Sequence, residues 1–230
     1  RLSKLREAGE KKSKTATFNP YFIEKQGAGQ AILIGYPNVG KSSLVAALTR
    51  AQPKIADFPF TTTLPLAGMM PYKNILIQLV DTPPLTADGL PSELLNTLQN
   101  GDLLLIVLDI GSDECLEQAE GTLSFLRKKK LIDEEKGKEE PSVEKAGIEP
   151  GQIQPKHAPY LIIGNKCDRP HSEENTQILH ELLPGLPLIS ISAKEKTGLS
   201  LLKNKIYQKL DIIRVYTKAP GEEPDLRAPF

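Results

Sequence analysis

Tryptophan is absent from this chain of 230 residues, tyrosine and phenylalanine occur six times each, and there are two cysteines and three histidines. Two cysteines, Cys115 and Cys167, cannot form a disulfide-knit scaffold, and their spacing is not that of a metal knuckle. Reduced thiols in a cytoplasmic protein are the expectation. His157, His171 and His180 are scattered, without a carboxylate or nucleophile at a suggestive spacing, so no histidine-centred catalytic group is assigned. An excess of charge is also missing: 29 basic residues balance 29 acidic ones, so global charge gives no reason to propose a nucleic acid or membrane partner. The longest apolar run, Leu103 to Leu108, is far too short to span a bilayer, and no internal repeat stands out.

What is present is the segment Gly35-Tyr36-Pro37-Asn38-Val39-Gly40-Lys41-Ser42, a G-x-x-x-x-G-K-S pattern. It follows the apolar run Ala31–Ile34 and precedes Ser43-Leu44-Val45-Ala46-Ala47-Leu48, the strand-loop-helix context that a phosphate-binding loop requires. Gly35 and Gly40 permit tight turning and close approach, so that backbone N–H groups and a helix N-terminus converge on an anion. Lys41 adds a positive charge for the β- and γ-phosphates, and the Ser42 hydroxyl is a magnesium ligand in loops of this kind.

Apolar runs recur at 31–34, 75–80, 103–108, 160–163 and 188–191, separated by segments of helical character near 42–51, 92–99, 114–130, 173–183 and 198–210. The alternation predicts a doubly wound α/β domain with a mostly parallel sheet and helices on both faces. Leu64 to Met70 is a candidate further strand, antiparallel and at an edge. The predicted organisation is a basic arm and lead-in over 1–28, with Lys11, Lys12 and Lys14 in the arm, a nucleotide-binding domain over 29–210, and a final segment 211–230. A lysine- and glutamate-rich stretch at about 127–156, broken by Gly and Pro, reads as a solvated insertion loop. Arg1 in place of an initiating methionine points to a processed chain or a fragment.

Asn165-Lys166-Cys167-Asp168 follows Tyr160-Leu161-Ile162-Ile163-Gly164, and Ser192-Ala193-Lys194 follows Leu188-Ile189-Ser190-Ile191. Both lie at predicted strand ends, where open α/β sheets bind ligands. The Asp168 carboxylate can accept from the N1–H and the exocyclic amine of guanine, a pattern adenine does not offer, so GTP or GDP is favoured over ATP. Asn165 is expected to tie the loops together, and Lys166 to lay its apolar stem along the base or the loop.

With these residues in hand, the chain resembles GTPases of the Obg-HflX superfamily, the translation-factor class, and most of all the developmentally regulated GTP-binding (DRG) type. Ala56-Asp57-Phe58-Pro59-Phe60-Thr61-Thr62 is similar to the family's switch I, and Asp81-Thr82-Pro83 to the start of its switch II. Ile213-Arg214-Val215-Tyr216-Thr217-Lys218 through Pro224-Asp225 is similar to the opening of a TGS domain, too short here to build that module's core. The resemblance implies a P-loop NTPase G domain, Mg2+ held by Ser42, Thr62 and Asp81, and Thr61 or Thr62 closing over the γ-phosphate. It also implies that the Ser192-Ala193-Lys194 loop meets the guanine oxygen through a backbone amide, and that the ribosome or ribosomal RNA, and a regulatory protein, are partners. Asn38 occupies the position that helps to coordinate a monovalent cation in potassium-stimulated members, which makes Lys41, Asn38 and Thr62 the catalytic candidates and K+ a cofactor candidate. Leu85 stands where many small GTPases place a water-orienting glutamine.

The departure from the family pattern is Pro84. The switch II tetrad ends in glycine, whose N–H donates to the γ-phosphate, whereas proline has no N–H and a fixed φ. Two expectations follow: nucleotide binding with slow hydrolysis and a muted switch, or a neighbouring amide or shifted register that takes over the contact. Little or no turnover would make the chain a guanine-nucleotide-binding interaction module.

Overall fold

A computed structural model of the chain describes residues 19–49, 64–87, 89–133, 158–213 and 215. Six strands and five helices alternate along them: β1 (Gln30–Ile34), α1 (Lys41–Leu48), β2 (Leu66–Tyr72), β3 (Ile75–Asp81), α2 (Ser92–Asn100), β4 (Leu103–Asp109), α3 (Cys115–Lys128), β5 (Tyr160–Asn165), α4 (Ser172–Leu182), β6 (Leu188–Ser190) and α5 (Leu199–Lys209). The strands form one sheet in the order β2-β3-β1-β4-β5-β6. Every neighbouring pair is parallel except β2 and β3, which form an antiparallel hairpin that leaves β2 at the edge. This is the expected doubly wound arrangement.

The central strands explain why it forms. All five residues of β1 and all seven of β4 are buried, as strands covered on both faces must be. Successive side chains then supply two separate cores. On one face Leu33, Leu105 and Ile163 pack with Leu44 and Leu48 of α1 and with Leu202 and Ile206 of α5. On the other, Ile34, Ile106 and Ile162 pack with Leu98 of α2, Leu123 of α3 and Leu179 of α4. Each such fully buried Leu or Ile side chain contributes roughly 1.5–3 kcal/mol.

Residues 19–28, the end of the lead-in, lie against the domain. The Gln30 and Gln78 amides, both buried, bond to each other at 2.8 Å and to the carbonyls of Ile23 and Glu24, while the Thr97 hydroxyl donates to the Tyr21 carbonyl at 2.6 Å. The carbonyls of Tyr21, Ile23 and Glu24 are therefore satisfied by side chains at β1, β3 and α2. The arm over 1–14, most of the charged insertion and most of the terminal segment 211–230 fall outside the described residues. Among the described residues no helix is long and apolar enough to cross a membrane.

Because β1, β3, β4, β5 and β6 run parallel, their carboxyl ends share one edge of the sheet. The chain leaves β1 toward α1 on one face, but leaves its neighbours β3 and β4 toward α2 and α3 on the other. A crevice opens at such a reversal.

Candidate functional site

The loop from Gly35 to Gly40 leaves β1 at this crevice. A Cβ on Gly35 would lie 2.4 Å from the Val107 carbonyl oxygen, so only glycine allows the loop to start against β4. Gly40 has φ +94°, and a Cβ there would lie 2.3 Å from Nδ2 of Asn165. Asn38 is also left-handed, at φ +61°, a conformation that asparagine tolerates better than most residues. Pro37 is half-buried, Val39 is fully buried and anchors the loop in the core, and Ser43 is exposed on the first turn of α1. That helix begins with no side-chain cap and no acidic residue in its first turn, leaving its leading N–H groups directed at the crevice.

Lys41 is buried at the base of this cradle, where its ammonium donates to the carbonyls of Gly35 at 2.9 Å and Tyr36 at 3.1 Å. Burial lowers its pKa to about 8, against an opposing pull from Asp81. The next residue, Ser42, donates its hydroxyl to Oδ2 of Asp81 at 2.5 Å. Asp81 is buried at the end of β3, and its second oxygen, Oδ1, has no hydrogen-bond partner. Desolvation raises the pKa of this carboxyl, opposed by the Ser42 hydroxyl and by Lys41. An unsatisfied buried oxygen beside a hydroxyl is a poor end state for a protein interior and a good one for a divalent cation. Magnesium takes one or two protein oxygens and completes its octahedron with water and substrate phosphates, so Ser42 and Asp81 fit it without a larger ligand cluster. Thr61 and Thr62 lie outside the described residues.

The segment after β3 is held against the cradle. Thr82 donates from Oγ1 to the Leu33 carbonyl at 2.6 Å, and the N–H of Leu85, a buried residue, donates to the Gly35 carbonyl at 3.0 Å. Pro84, which has no N–H, sits between them. The first amide after the proline is thus already committed to the phosphate loop.

Asn165 connects three loops. From the end of β5 its Nδ2 donates to the Val39 carbonyl at 2.8 Å, and its Oδ1 accepts from the N–H of Ala193 at 3.0 Å. One backbone amide of the Ser192-Ala193-Lys194 loop is therefore held by Asn165. Asp168 is exposed and accepts from the Ser192 hydroxyl at 2.5 Å; that bond, ahead of nearby Lys194 and Arg169, holds its carboxyl below the usual carboxylate range. Ser192 is itself fully buried and accepts from the Glu195 N–H, while Lys194 is exposed beside Glu195. Lys166 is half-buried. Its ammonium donates to the Asn38 carbonyl at 2.6 Å and to Oδ2 of Asp109 at 2.5 Å, crossing from the base loop to the phosphate loop.

Asp109 was not among the residues singled out in the sequence. It ends β4, is 7% exposed, and accepts through Oδ1 from the Gly111 N–H at 3.1 Å. The available signal was a carboxylate closing an otherwise apolar run. Both cysteines are free, and burial raises both thiols, with Cys167 half-buried against the second core. His171 and His180 take no part in the crevice, and His157 lies outside the described residues.

A phosphate cradle, a metal-type oxygen pair and a carboxylate suited to guanine thus converge on one sheet edge. Residues 30–138 match the family described as 50S ribosome-binding GTPase. The fold is that of a P-loop G domain. An uncharacterized GTP-binding protein of Methanocaldococcus jannaschii is 27% identical to it over 280 residues, covering all of this chain and 71% of that protein. Obg of Akkermansia muciniphila is 29% identical, covering 81% of this chain and 49% of Obg, and Obg of Corynebacterium jeikeium is 31% identical, covering 87% and 39%. The chain spans about half the length, or less, of these Obg proteins. Among solved structures, Era in complex with MgGDPNP and nucleotides 1506–1542 of 16S ribosomal RNA superposes with a TM-score of 0.58 at 20% identity, covering 85% of this chain and 60% of Era. The FeoB G-domain from Methanococcus jannaschii gives 0.52 at 22% identity, covering 80% of this chain and 97% of that domain. These likenesses place the domain among G-domain folds.

Proposed function

We propose that this GTPase domain binds magnesium-GTP and hydrolyses it slowly, with potassium stimulation, through positioning and electrostatics and without a protein nucleophile. The observation that carries the reading is Asn165, whose one amide group holds the phosphate loop at Val39 and the base-recognition loop at Ala193. In this reading the backbone N–H groups of 38–43 and Lys41 hold the phosphates, with Pro37 lining the cradle, Asp168 and the Ser192-Ala193-Lys194 loop read guanine, and Ser42 and Asp81, with Thr62, hold magnesium. Bound magnesium neutralises charge on the β- and γ-phosphates. The Asn38 side chain is exposed at the mouth of the cradle, where a monovalent cation would add positive charge as transition-state charge develops.

The wider role we propose is a cytoplasmic protein of the DRG type, working on the ribosome or ribosomal RNA under a regulatory partner, with residues 211–230 the start of a TGS domain. Its support is the motif resemblance, the description of the matching family and the ribosomal RNA bound to Era.

A second reading is favoured by one contact. With Pro84 unable to donate and the Leu85 N–H taken by Gly35, no amide of 84–85 is free for a γ-phosphate, which suits a nucleotide-binding interaction module with little turnover. Single-turnover GTP hydrolysis, measured in potassium and in sodium for wild type and Pro84→Gly, separates the two. The leading reading predicts wild-type turnover about tenfold or more faster in potassium than in sodium. A flat wild-type baseline in both salts, restored by glycine, supports the module instead.

A further inference from the structure

The base and phosphates of one nucleotide must meet two loops at once, so the separation of those loops has to be set before binding if affinity is not to be spent on ordering them. Asn165 provides one tie between them. Lys166 provides the other, but a lysine head on a flexible four-carbon stem does not fix its own position. What fixes it is Asp109. Its Oδ2 lies 2.5 Å from the Lys166 ammonium, which donates in turn to the Asn38 carbonyl at 2.6 Å; the Arg169 guanidinium reaches the same oxygen at 3.6 Å.

Asp109 is itself held rigidly. Its N–H donates to the Gln118 side chain at 3.0 Å, and the N–H of the next residue, Ile110, donates to the Asn165 carbonyl at 3.1 Å. Both ends of the bridge adopt left-handed backbone, Lys166 at φ +68° and Asn38 at φ +61°. A lysine in that region is strained, and such strain persists where surrounding contacts over-determine it.

We infer that Asp109 is a positioning residue of the nucleotide site: its carboxylate pins the Lys166 ammonium on the Asn38 carbonyl and thereby sets the spacing between the phosphate cradle and the guanine-reading loop. This rests on the guanine-nucleotide reading of the site. The diagnostic variant is Asp109→Asn, because the amide oxygen still accepts from Gly111 while the amide nitrogen in place of Oδ2 cannot accept from an ammonium.

The experiment is the dissociation rate of a fluorescent GDP analogue from the full chain in a double-mutant cycle. Asp109→Asn and Lys166→Met are each expected to speed release by about tenfold. The double variant is expected to release no faster than Lys166→Met alone, within about twofold, because the aspartate acts through the lysine. Multiplying effects, or release within twofold of wild type in either single variant, would overturn the proposal. Lys166→Met tests the bridge from its other end if Asp109→Asn does not accumulate as folded protein. Wild type that fails to bind the GDP analogue overturns the guanine-nucleotide reading and this proposal together, whereas tight wild-type binding with unchanged variants overturns the proposal alone.

Discussion

Asp168→Asn is expected to weaken GDP binding by about a hundredfold, roughly 3 kcal/mol, and to open the site to xanthosine diphosphate. The aspartate is exposed at the mouth of the crevice and is kept ionised by the Ser192 hydroxyl, so two acceptor oxygens are ready for two guanine donors. An asparagine oxygen can still accept from N1–H, but its NH2 group then faces the exocyclic amine of guanine, donor against donor. Xanthine carries a carbonyl at that place, and the asparagine NH2 can donate to it. Because the residue is exposed, the substitution leaves the cores untouched, and the melting temperature of the ligand-free chain should stay within a degree or two. Competition titrations with GDP and xanthosine diphosphate measure both changes; undiminished GDP affinity would remove Asp168 from base recognition.

Lys41→Met is expected to reduce GDP and GTP affinity by about 10²–10³-fold, the cost of removing a buried cation from its anionic partner. In the structure that cation rests on two carbonyls and is disfavoured by burial, with a pKa of about 8. A lysine whose folded pKa lies below its unfolded value destabilises the fold while it remains charged, and that cost fades as pH rises from about 8 toward the unfolded pKa. Methionine, of similar length and uncharged, should therefore leave the ligand-free chain no less stable at pH 7. The same pKa gives a signature in wild type. Phosphate favours the ammonium, so above about pH 8 GDP must bind together with a proton, and affinity should fall with rising pH, approaching tenfold per pH unit. With magnesium chelated, calorimetry in buffers of different ionisation enthalpy should register that uptake in wild type and not in Lys41→Met.

Much of this site is legible in the sequence because its parts are local. The phosphate loop is eight contiguous residues between an apolar run and a helix, and Asn165-Lys166-Cys167-Asp168 and Ser192-Ala193-Lys194 each end an apolar run, so strand periodicity alone brings them to the carboxyl edge. The antiparallel edge strand is legible for the same reason, since Leu64–Met70 and Ile75–Val80 are too close in sequence for a crossover. The links between loops are not legible. That the Lys166 ammonium rests on the Asn38 carbonyl and Asp109 depends on β4 lying beside β5 with Asp109 in register with Asn165, and no periodicity encodes strand order. The commitment of the Leu85 amide to Gly35 is likewise a contact between segments fifty residues apart. Pro84 identified the missing donor; where its neighbour's N–H goes required the fold.

Every role proposed for these residues requires that the crevice bind a guanine nucleotide. Equilibrium titration of the wild-type chain with GDP and with ADP, in magnesium, tests it most directly. Saturable one-to-one GDP binding is expected, with ADP weaker by about a hundredfold or more. Equal affinity for the two nucleotides, or no binding of GDP, would contradict it.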